Sequence, residues 1–277
     1  MIEKHRVSII ICFYERIAHL KCCLDSLTAS CDCFDEVIIA DDGSGEETVR
    51  QLNDLIPKYP FKIRHVWQPD QGFRVAAARN NGVREANGDY LVFLDSDFIL
   101  LPDTLSIHLT RARPGRFLSG YCKYLSQTQT EAIFEKGLKS VDLDNLYANL
   151  PDENLKRDHF KFITRTWRIR LGLANARKQT LGGHFSIYRS DLDSVNGYDE
   201  NFIGWGGEDI DLGIRLAASG IFGRSVIRSA RVLHMWHPRE DKSADWKKGR
   251  NAAYCIRRHI SPVCEKGLKT VDSNNGQ

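Results

Sequence analysis

The first hundred residues alternate between two hydrophobic periods. Val7 to Phe13 is a continuous β-branched run, the pattern of a strand buried on both faces. Ile17 to Ala29 then places Leu20, Leu24 and Leu27 on one stripe, which predicts a helix. Glu36 to Ala40 is a second short strand, closed abruptly by Asp41-Asp42-Gly43-Ser44-Gly45. Glu46 to Ile56 predicts a helix that Pro57 soon stops. Lys62 to Trp67 is a third strand, Val75 to Glu85 a third helix, and Asn87-Gly88-Asp89 the stop that follows it. Tyr90 to Leu94 is a fourth strand and runs straight into Asp95-Ser96-Asp97.

Strands alternating with helices through short connections predict right-handed βαβ units and a mostly parallel sheet with helices on both faces. Such α/β sheets bind ligands at the carboxyl ends of their strands. Asp41-Asp42 and Asp95-Ser96-Asp97 both fall at such ends. Residues 126–180 break the rhythm, being rich in Lys, Arg, Asp and Asn with apolar residues at loose helical intervals. They predict a helical excursion over the active face that can act as a lid. Order returns at Gly182 to Tyr188, a strand entered through glycines, and at Glu208 to Ala218, a helix preceded by Gly204-Trp205-Gly206-Gly207. Ser225 to Leu233 predicts a last strand ending at His234-Met235-Trp236-His237. One catalytic domain over 1–260 is expected, followed by a polar, frayed tail over 261–277.

Composition narrows the class. The 277 residues are 42% hydrophobic and 27% charged, as in an ordinary globular protein. The 39 Lys and Arg against 36 Asp and Glu leave +3, too weak a surplus to indicate nucleic acid. No apolar run reaches the length of a membrane-spanning helix. None of the eight cysteines falls in CxxC spacing, which disfavours a zinc ribbon. Free thiols in a reducing cytoplasm are expected.

Four constellations carry candidate chemistry. Asp95 and Asp97 are two apart at a strand end, so both carboxylates can face one hard cation, Mg²⁺ or Mn²⁺. His234 or His237 could complete that site and would favour Mn²⁺, although a lone histidine is more often simply packed. Asp41-Asp42-Gly43-Ser44 is a turn sequence whose carboxylate can also accept from a ribose or a pyrimidine N–H. Trp205 offers a flat face for a sugar ring. The three surrounding glycines allow close backbone approach. Glu208 and Asp209 begin a helix whose dipole favours their ionised forms, as a general base requires. Arg74 and Arg79 can reach a diphosphate or merely cover surface.

Taken in order, these residues resemble a glycosyltransferase of the GT-A fold. Val-Ser-Ile-Ile-Ile-Cys-Phe-Tyr-Glu-Arg, Asp-Asp-Gly-Ser, Ala-Ala-Ala-Arg-Asn-Asn-Gly and Phe-Leu-Asp-Ser-Asp are similar to family 2. Gly-Tyr-Asp-Glu-Asn-Phe-Ile-Gly-Trp-Gly-Gly-Glu-Asp-Ile-Asp-Leu resembles the C-terminal module of the β-1,4-galactosyltransferases. That module is shared with bacterial chondroitin-type polymerases and polypeptide N-acetylgalactosaminyltransferases. The likeness spans 5–125 and 182–240 and omits 126–180. It implies a Rossmann-like nucleotide-diphospho-sugar fold, with a nucleotide-binding half over 1–100 and an acceptor-binding half over 101–240.

The resemblance further implies a UDP-sugar donor, with Mn²⁺ (or Mg²⁺) bridging its diphosphate to Asp97. His237 matches the metal-binding histidine, and His234 stands where the pattern has a methionine ligand. Asp42 corresponds to the residue reading uracil, with Phe13, Tyr14, Glu15, Gln71, Arg79, Asp95 and Ser96 as further donor contacts. Asp209 matches the catalytic base of inverting enzymes. Trp205, Gly206, Gly207 and Glu208 match acceptor-binding positions. The expected acceptor is a glycan or lipid-linked oligosaccharide. The expected location is cytoplasmic, with basic residues between Arg165 and Lys178, at Lys247-Lys248 and at Arg257-Arg258 available to touch the inner membrane face. Three rivals were weighed: a haloacid-dehalogenase-type phosphatase with Asp95 as nucleophile, a retaining transferase, and a non-catalytic nucleotide-sugar or glycan-binding module.

Overall fold

The structure, a computed structural model, describes residues 5–175, 181–238 and 250–270. The first half runs β1 (Val7–Phe13), α1 (Ile17–Leu27), β2 (Glu36–Asp41), α2 (Glu46–Leu55), β3 (Ile63–Trp67), α3 (Val75–Glu85) and β4 (Tyr90–Asp95). Next come β5 (Phe98–Leu100), α4 (Thr104–Arg111), β6 (Arg116–Gly120), β7 (Lys123–Tyr124), α5 (Gln127–Lys136), α6 (Leu143–Ala148) and α7 (Glu153–Arg170). The rest comprises β8 (His184–Tyr188), α8 (Arg189–Asp193), α9 (Glu208–Ala218), β9 (Phe222–Ser225), β10 (Val232–His234) and α10 (Arg250–Cys255).

Seven strands form a central sheet in the order β3-β2-β1-β4-β8-β6-β9. Its strands pair in parallel except for β8, which is antiparallel to both β4 and β6. The unbroken apolar runs have a direct cause in packing. Ile10 of β1 and Leu91 and Phe93 of β4 enter one core, with Ala76 and Val83 of α3 and Leu212 and Leu216 of α9. Ile9, Ile11, Val92 and Leu94 enter the other, with Leu20, Leu24 and Leu27 of α1 and Leu52 of α2. Alternate side chains leave opposite faces of a strand, so both sets must be apolar when helices cover both faces.

Three details depart from the sequence reading. The single strand expected over Ser225 to Leu233 is two strands, β9 and β10, separated by a turn in which Ala230 N–H donates to Val226 O at 2.8 Å. β9 belongs to the central sheet, whereas β10 lies between β5 and β7 in a separate three-stranded sheet. The turn is what lets one apolar run change sheets. Of the excursion over 126–180, α7 packs on β9 at the sheet's edge, while α5 lies beside His19 through Phe134.

The tail expected to fray is docked over 261–270. Cys264 is buried, and Asn196 Nδ2 donates to Cys264 O and Lys269 O, each at 2.8 Å. Arg84 Nη2 donates to Gly267 O at 2.6 Å. A Cβ at Gly267 would come within 1.9 Å of Asn196 O, so only glycine permits this approach. Residues 271–277 lie outside the described residues.

A polar chain crosses the core. Tyr90 Oη lies 2.7 Å from Ser186 Oγ, which lies 2.6 Å from His108 Nδ1. His108 Nε2 is 3.1 Å from His184 Nδ1. Both imidazoles are fully buried, and burial drives His108 well below the ordinary histidine range and His184 to about 4. An unfolded chain takes up these protons near pH ~6.5. The pair's contribution to stability is therefore complete above that pH and is lost as pH falls toward the folded values. Stability should drop by up to roughly 1.4 kcal/mol per pH unit for each histidine below about pH 6.5. Urea denaturation at about pH 7.5 and about pH 5 reads this; equal or greater stability at the lower pH would contradict it.

Candidate functional site

The site begins with register. Phe13 of β1 pairs with Asp41 of β2, and Cys12 pairs with Asp95 of β4. Both acidic clusters therefore flank the carboxyl end of one central strand. Asp41 is spent on the turn: its Oδ1 accepts from Gly43 N–H at 3.1 Å and Ser44 N–H at 2.8 Å, and Oδ2 lies 2.8 Å from His65 Nε2. Asp42 is buried beside it, accepting from Gln68 Nε2 at 2.6 Å and Arg74 N–H at 2.7 Å. Burial pushes the Asp42 carboxyl up, against those hydrogen bonds.

The other expected donor contacts divide. Tyr14 Oη donates to Asp70 Oδ2 at 3.2 Å beside this turn. Glu15 instead caps α2, its Oε1 accepting Gly45 N–H at 2.6 Å and its Oε2 the Thr48 hydroxyl. The Phe13 ring lies in the core with Ile9 and Ile11, and its backbone meets Asp42, whose N–H donates to Phe13 O at 2.9 Å. Gln71 is exposed and accepts from Arg74. Ser96 N–H donates to Cys12 O at 3.1 Å, fixing the start of the Asp95-Ser96-Asp97 turn.

Asp97, His234 and His237 converge from two segments, with ligand atoms all within 4.8 Å of one another. Asp97 Oδ2 lies 3.1 Å from His237 Nε2 and 3.5 Å from His234 Nε2. β10 delivers the histidines, and Met235 N–H, donating to Asp97 O at 2.9 Å, ties the segments together. Burial works to raise Asp97, but the His237 hydrogen bond and both imidazole charges bring it below the ordinary carboxylate value. Asp97 Oδ1 is buried with no hydrogen-bond partner among the described residues. Such an orphan is costly unless a ligand satisfies it. One carboxylate and two imidazoles can hold a divalent transition-metal ion, Mn²⁺ among others. His19, which the sequence did not single out, stands behind this cluster with its ring 6.3 Å from that of His237 and its Nε2 3.1 Å from Trp236 O.

Arg79 joins the two halves. On buried α3, its guanidinium lies 3.1 Å from Asp95 Oδ1, 3.2 Å from Asp209 Oδ1 and 3.6 Å from Glu208 Oε1. Burial alone would lower Arg79, yet Tyr198, Asp209 and Asp95 hold it well above its ordinary value. Loss of hydration pushes Asp95 up to about 6, with Arg79 opposing and Asp97 and Asp209 adding to the rise. Glu208 rises to about 7 through burial and its neighbour Asp209. Tyr198 Oη donates to Asp209 Oδ1 at 3.2 Å. Neither Tyr198 nor this pairing was found from sequence, although Tyr198 sits in the Gly-Tyr-Asp-Glu motif. Asn80 places it, donating to Tyr198 O at 2.8 Å and accepting Tyr198 N–H at 2.9 Å.

Gly207 starts α9 in the left-handed region at φ 99°, where a Cβ would also come within 2.8 Å of the Phe202 ring. That left-handed turn lets Glu208 point inward, buried, while Trp205 stays exposed. Gly204 N–H donates to Phe73 O at 2.7 Å, so the Trp205 loop and the Arg74 loop are joined. Gly206, at φ 90°, stands between Trp205 and Gly207. Arg257 is claimed by Asp211 Oδ1 at 2.9 Å and Asp199 Oδ2 at 3.6 Å, which removes it from the expected membrane contacts. Lys178 and Lys247-Lys248 lie outside the described residues.

Residues 8–128 match glycosyl transferase family 2, and residues 159–238 match the N-terminal domain of galactosyltransferase. The chain is similar to validoxylamine A glucosyltransferase of Streptomyces hygroscopicus subsp. jinggangensis, at 29% identity over 94% of this chain and 62% of that protein. It is 31% identical to chondroitin synthase of Escherichia coli, over 96% of this chain and 40% of that one. Hyaluronan synthase of Pasteurella multocida is 28% identical, over 97% and 28%. The chain therefore spans from about a quarter to under two thirds of these relatives. Among solved structures, the Pyrobaculum calidifontis mannosyltransferase in complex with GDP-Man and Mn²⁺ superposes with a TM-score of 0.54, at 17% identity over 88% of this chain and 60% of that one. TarS of S. aureus, in complex with UDP-GlcNAc, gives 0.52 at 17% identity over 85% and 60%.

The Arg79 cluster carries a stability prediction. Arg79→Ala leaves three carboxylates facing one another without their cation. About 2 kcal/mol should be lost at about pH 8, a buried-pair value reduced for the solvent-facing sides of Asp95 and Asp209. The loss should shrink at about pH 5, where Asp95 and Glu208 escape by taking protons. Urea unfolding at the two pH values decides it, and a loss that is equal at both or larger in acid sinks the account.

Proposed function

The chain has the GT-A fold and its residues 8–128 belong to glycosyl transferase family 2; on that premise we propose that it is an inverting, metal-dependent glycosyltransferase. It moves a hexose or N-acetylhexosamine from a UDP-sugar to a hydroxyl of a glycan or lipid-linked oligosaccharide. The observation that carries this reading is Arg79, which holds Asp95 of the strand-end cluster and Asp209 of α9 on one guanidinium. Asp95 and Asp209 lie within the span of that one side chain, which supports donor and acceptor groups meeting there. Relatives named for sugar transfer and synthesis support the class, and neighbours in complex with GDP-Man and UDP-GlcNAc support a nucleotide-sugar donor.

Asp42 receives the uracil, its carboxylate already oriented by Gln68 and the Arg74 N–H. Asp97, His234 and His237 would hold a divalent cation, which supplies positive charge against the diphosphate. Asp209 takes the acceptor hydroxyl's proton as that oxygen attacks the anomeric carbon. With Oδ1 engaged by Arg79 and Tyr198, Oδ2 is the oxygen assigned that proton. Attack from the side opposite the leaving diphosphate inverts the anomeric centre, giving a β-linked product from an α-linked donor. Trp205 stacks on the acceptor ring and Glu208 binds one of its hydroxyls, an orientation worth several kcal/mol. Arg79, engaged by three carboxylates, positions them. A lipid-linked acceptor would place the enzyme peripherally at the cytoplasmic membrane face.

The test is calorimetric titration of UDP with and without Mn²⁺, then a screen of UDP-sugars for slow hydrolysis. Asp97→Asn should abolish the Mn²⁺ dependence of UDP binding. Asp209→Asn should keep UDP affinity and lose about a thousandfold in turnover. Absence of metal-dependent UDP binding in the unmodified protein, or full turnover in Asp209→Asn, would overturn the reading.

A further inference from the structure

α7 is apolar on two opposite sides. Leu155, Phe162 and Ile169, seven apart, are buried against the body of the protein. Phe160, Ile163, Trp167 and Leu171, three to four apart, line the other side. That second row faces solvent, with Phe160 69%, Trp167 56% and Leu171 64% exposed. Soluble helices expose single apolar residues without consequence, but a continuous row marks a contact surface.

Charge names the partner. Between Lys156 and Leu171 the helix carries six basic residues and one acid, Asp158. Lys161 and Arg168 flank the row on one side and Arg170 on the other, its guanidinium 5.7 Å from the Trp167 ring centre. Beside the same row lies a groove of about 820 Å³, whose lining includes Arg111, Arg116, Arg170 and Arg224 together with Ile163 and Trp167. Burial, Arg224 and Arg113 all pull Arg116 below its ordinary value, as cations gathered along one groove do. No described helix is long and apolar enough to cross a membrane. An outward apolar row bordered by cations is what lies flat in the interface of an anionic bilayer.

We infer that the outer face of α7 docks this protein onto an anionic phospholipid surface, with lipid phosphate entering the arginine-lined groove. The apolar row enters the headgroup boundary, and the long basic side chains reach up to the phosphates. The surface stands independently of the proposed chemistry. Its value for a lipid-linked acceptor rests on that reading, because docking would hold enzyme and acceptor on one plane.

Co-sedimentation with phosphatidylcholine vesicles, with and without phosphatidylglycerol, tests it. The protein should bind the anionic vesicles only, and added salt should weaken binding. Phe160→Ser with Trp167→Ser removes the row, while Arg170→Gln with Arg224→Gln should cost roughly fivefold per charge. All four positions lie outside the candidate catalytic machinery, so UDP-sugar hydrolysis in vesicle-free buffer should be unchanged in every variant. That assay fails on its own if the transferase reading is wrong, which keeps the two apart. Three results would overturn the docking inference: no binding to anionic vesicles, binding undiminished in the row variant, or a concentration-dependent dimer that the row variant abolishes. The last would give the face to a second copy.

Discussion

A single buried guanidinium holds the site together. Arg79 is shared by Asp95, Glu208 and Asp209, and its planar fork of donors can serve several oxygens at fixed angles. Three carboxylates this close repel one another strongly in a poorly hydrated cleft. Without the cation each would gain by protonating or turning to water. With it, a side chain from a strand end and two from a helix start keep one arrangement. The cation must itself be placed without freedom, and α3 does this by burying Ala76, Ala77, Ala78 and Asn80 around it.

The scaffold below serves that arrangement. Parallel pairing of β1 with β2 and β4 brings the Asp41-Asp42 turn and Asp95 to the same edge, so their proximity is set by register. β8, antiparallel in the middle of the sheet, returns the chain so that α9 can present its N-terminus. Asn80 then secures the approach to α9 through both backbone groups of Tyr198. The adjoining Asn196 turn is clasped by residues 264–269. The docked C-terminal stretch is therefore structural support for the approach to α9.

The legible elements were those whose period is local. Val7–Phe13, Val75–Glu85 and Glu208–Ala218 were all read from runs, stripes and glycine stops within a dozen residues, and they stand at those bounds. β5 and β7 escape detection, because strands of two or three residues have no period to detect, and β10 shows in the sequence only as the end of one longer run. Tail docking escaped for a different reason: its residues are polar, and what holds them is backbone hydrogen bonding to Asn196 and Arg84. The metal-type cluster was half legible. The spacing of Asp95 and Asp97 suggested shared direction, but only the fold shows both His234 and His237 meeting Asp97. Likeness of sequence transfers a position and not the direction of its side chain, so it did not show that the Phe13 ring enters the core or that Glu15 accepts from Gly45 and Thr48. Arg79 illustrates the limit best, since it lies 130 residues from the Asp209 it touches and no local pattern relates the two.

The charge balance also separates the roles of two adjacent carboxylates. Asp95, Glu208 and Asp209 share one guanidinium, so near neutrality the cluster favours retaining a proton. Burial places that proton on Glu208, raised to about 7 and hidden from water. Asp209 instead has Tyr198 and Arg79 both donating to its Oδ1. A carboxyl that keeps its proton can donate a hydrogen bond, and one that is held ionised can only accept. In the proposed reaction the two would address an incoming hydroxyl in complementary ways, Glu208 donating to an oxygen and Asp209 accepting the proton that leaves. Exchanging them would put the proposed base at the position that burial raises. Their order at the start of α9 is for that reason a chemical constraint, set by which of them the left-handed Gly207 turns inward.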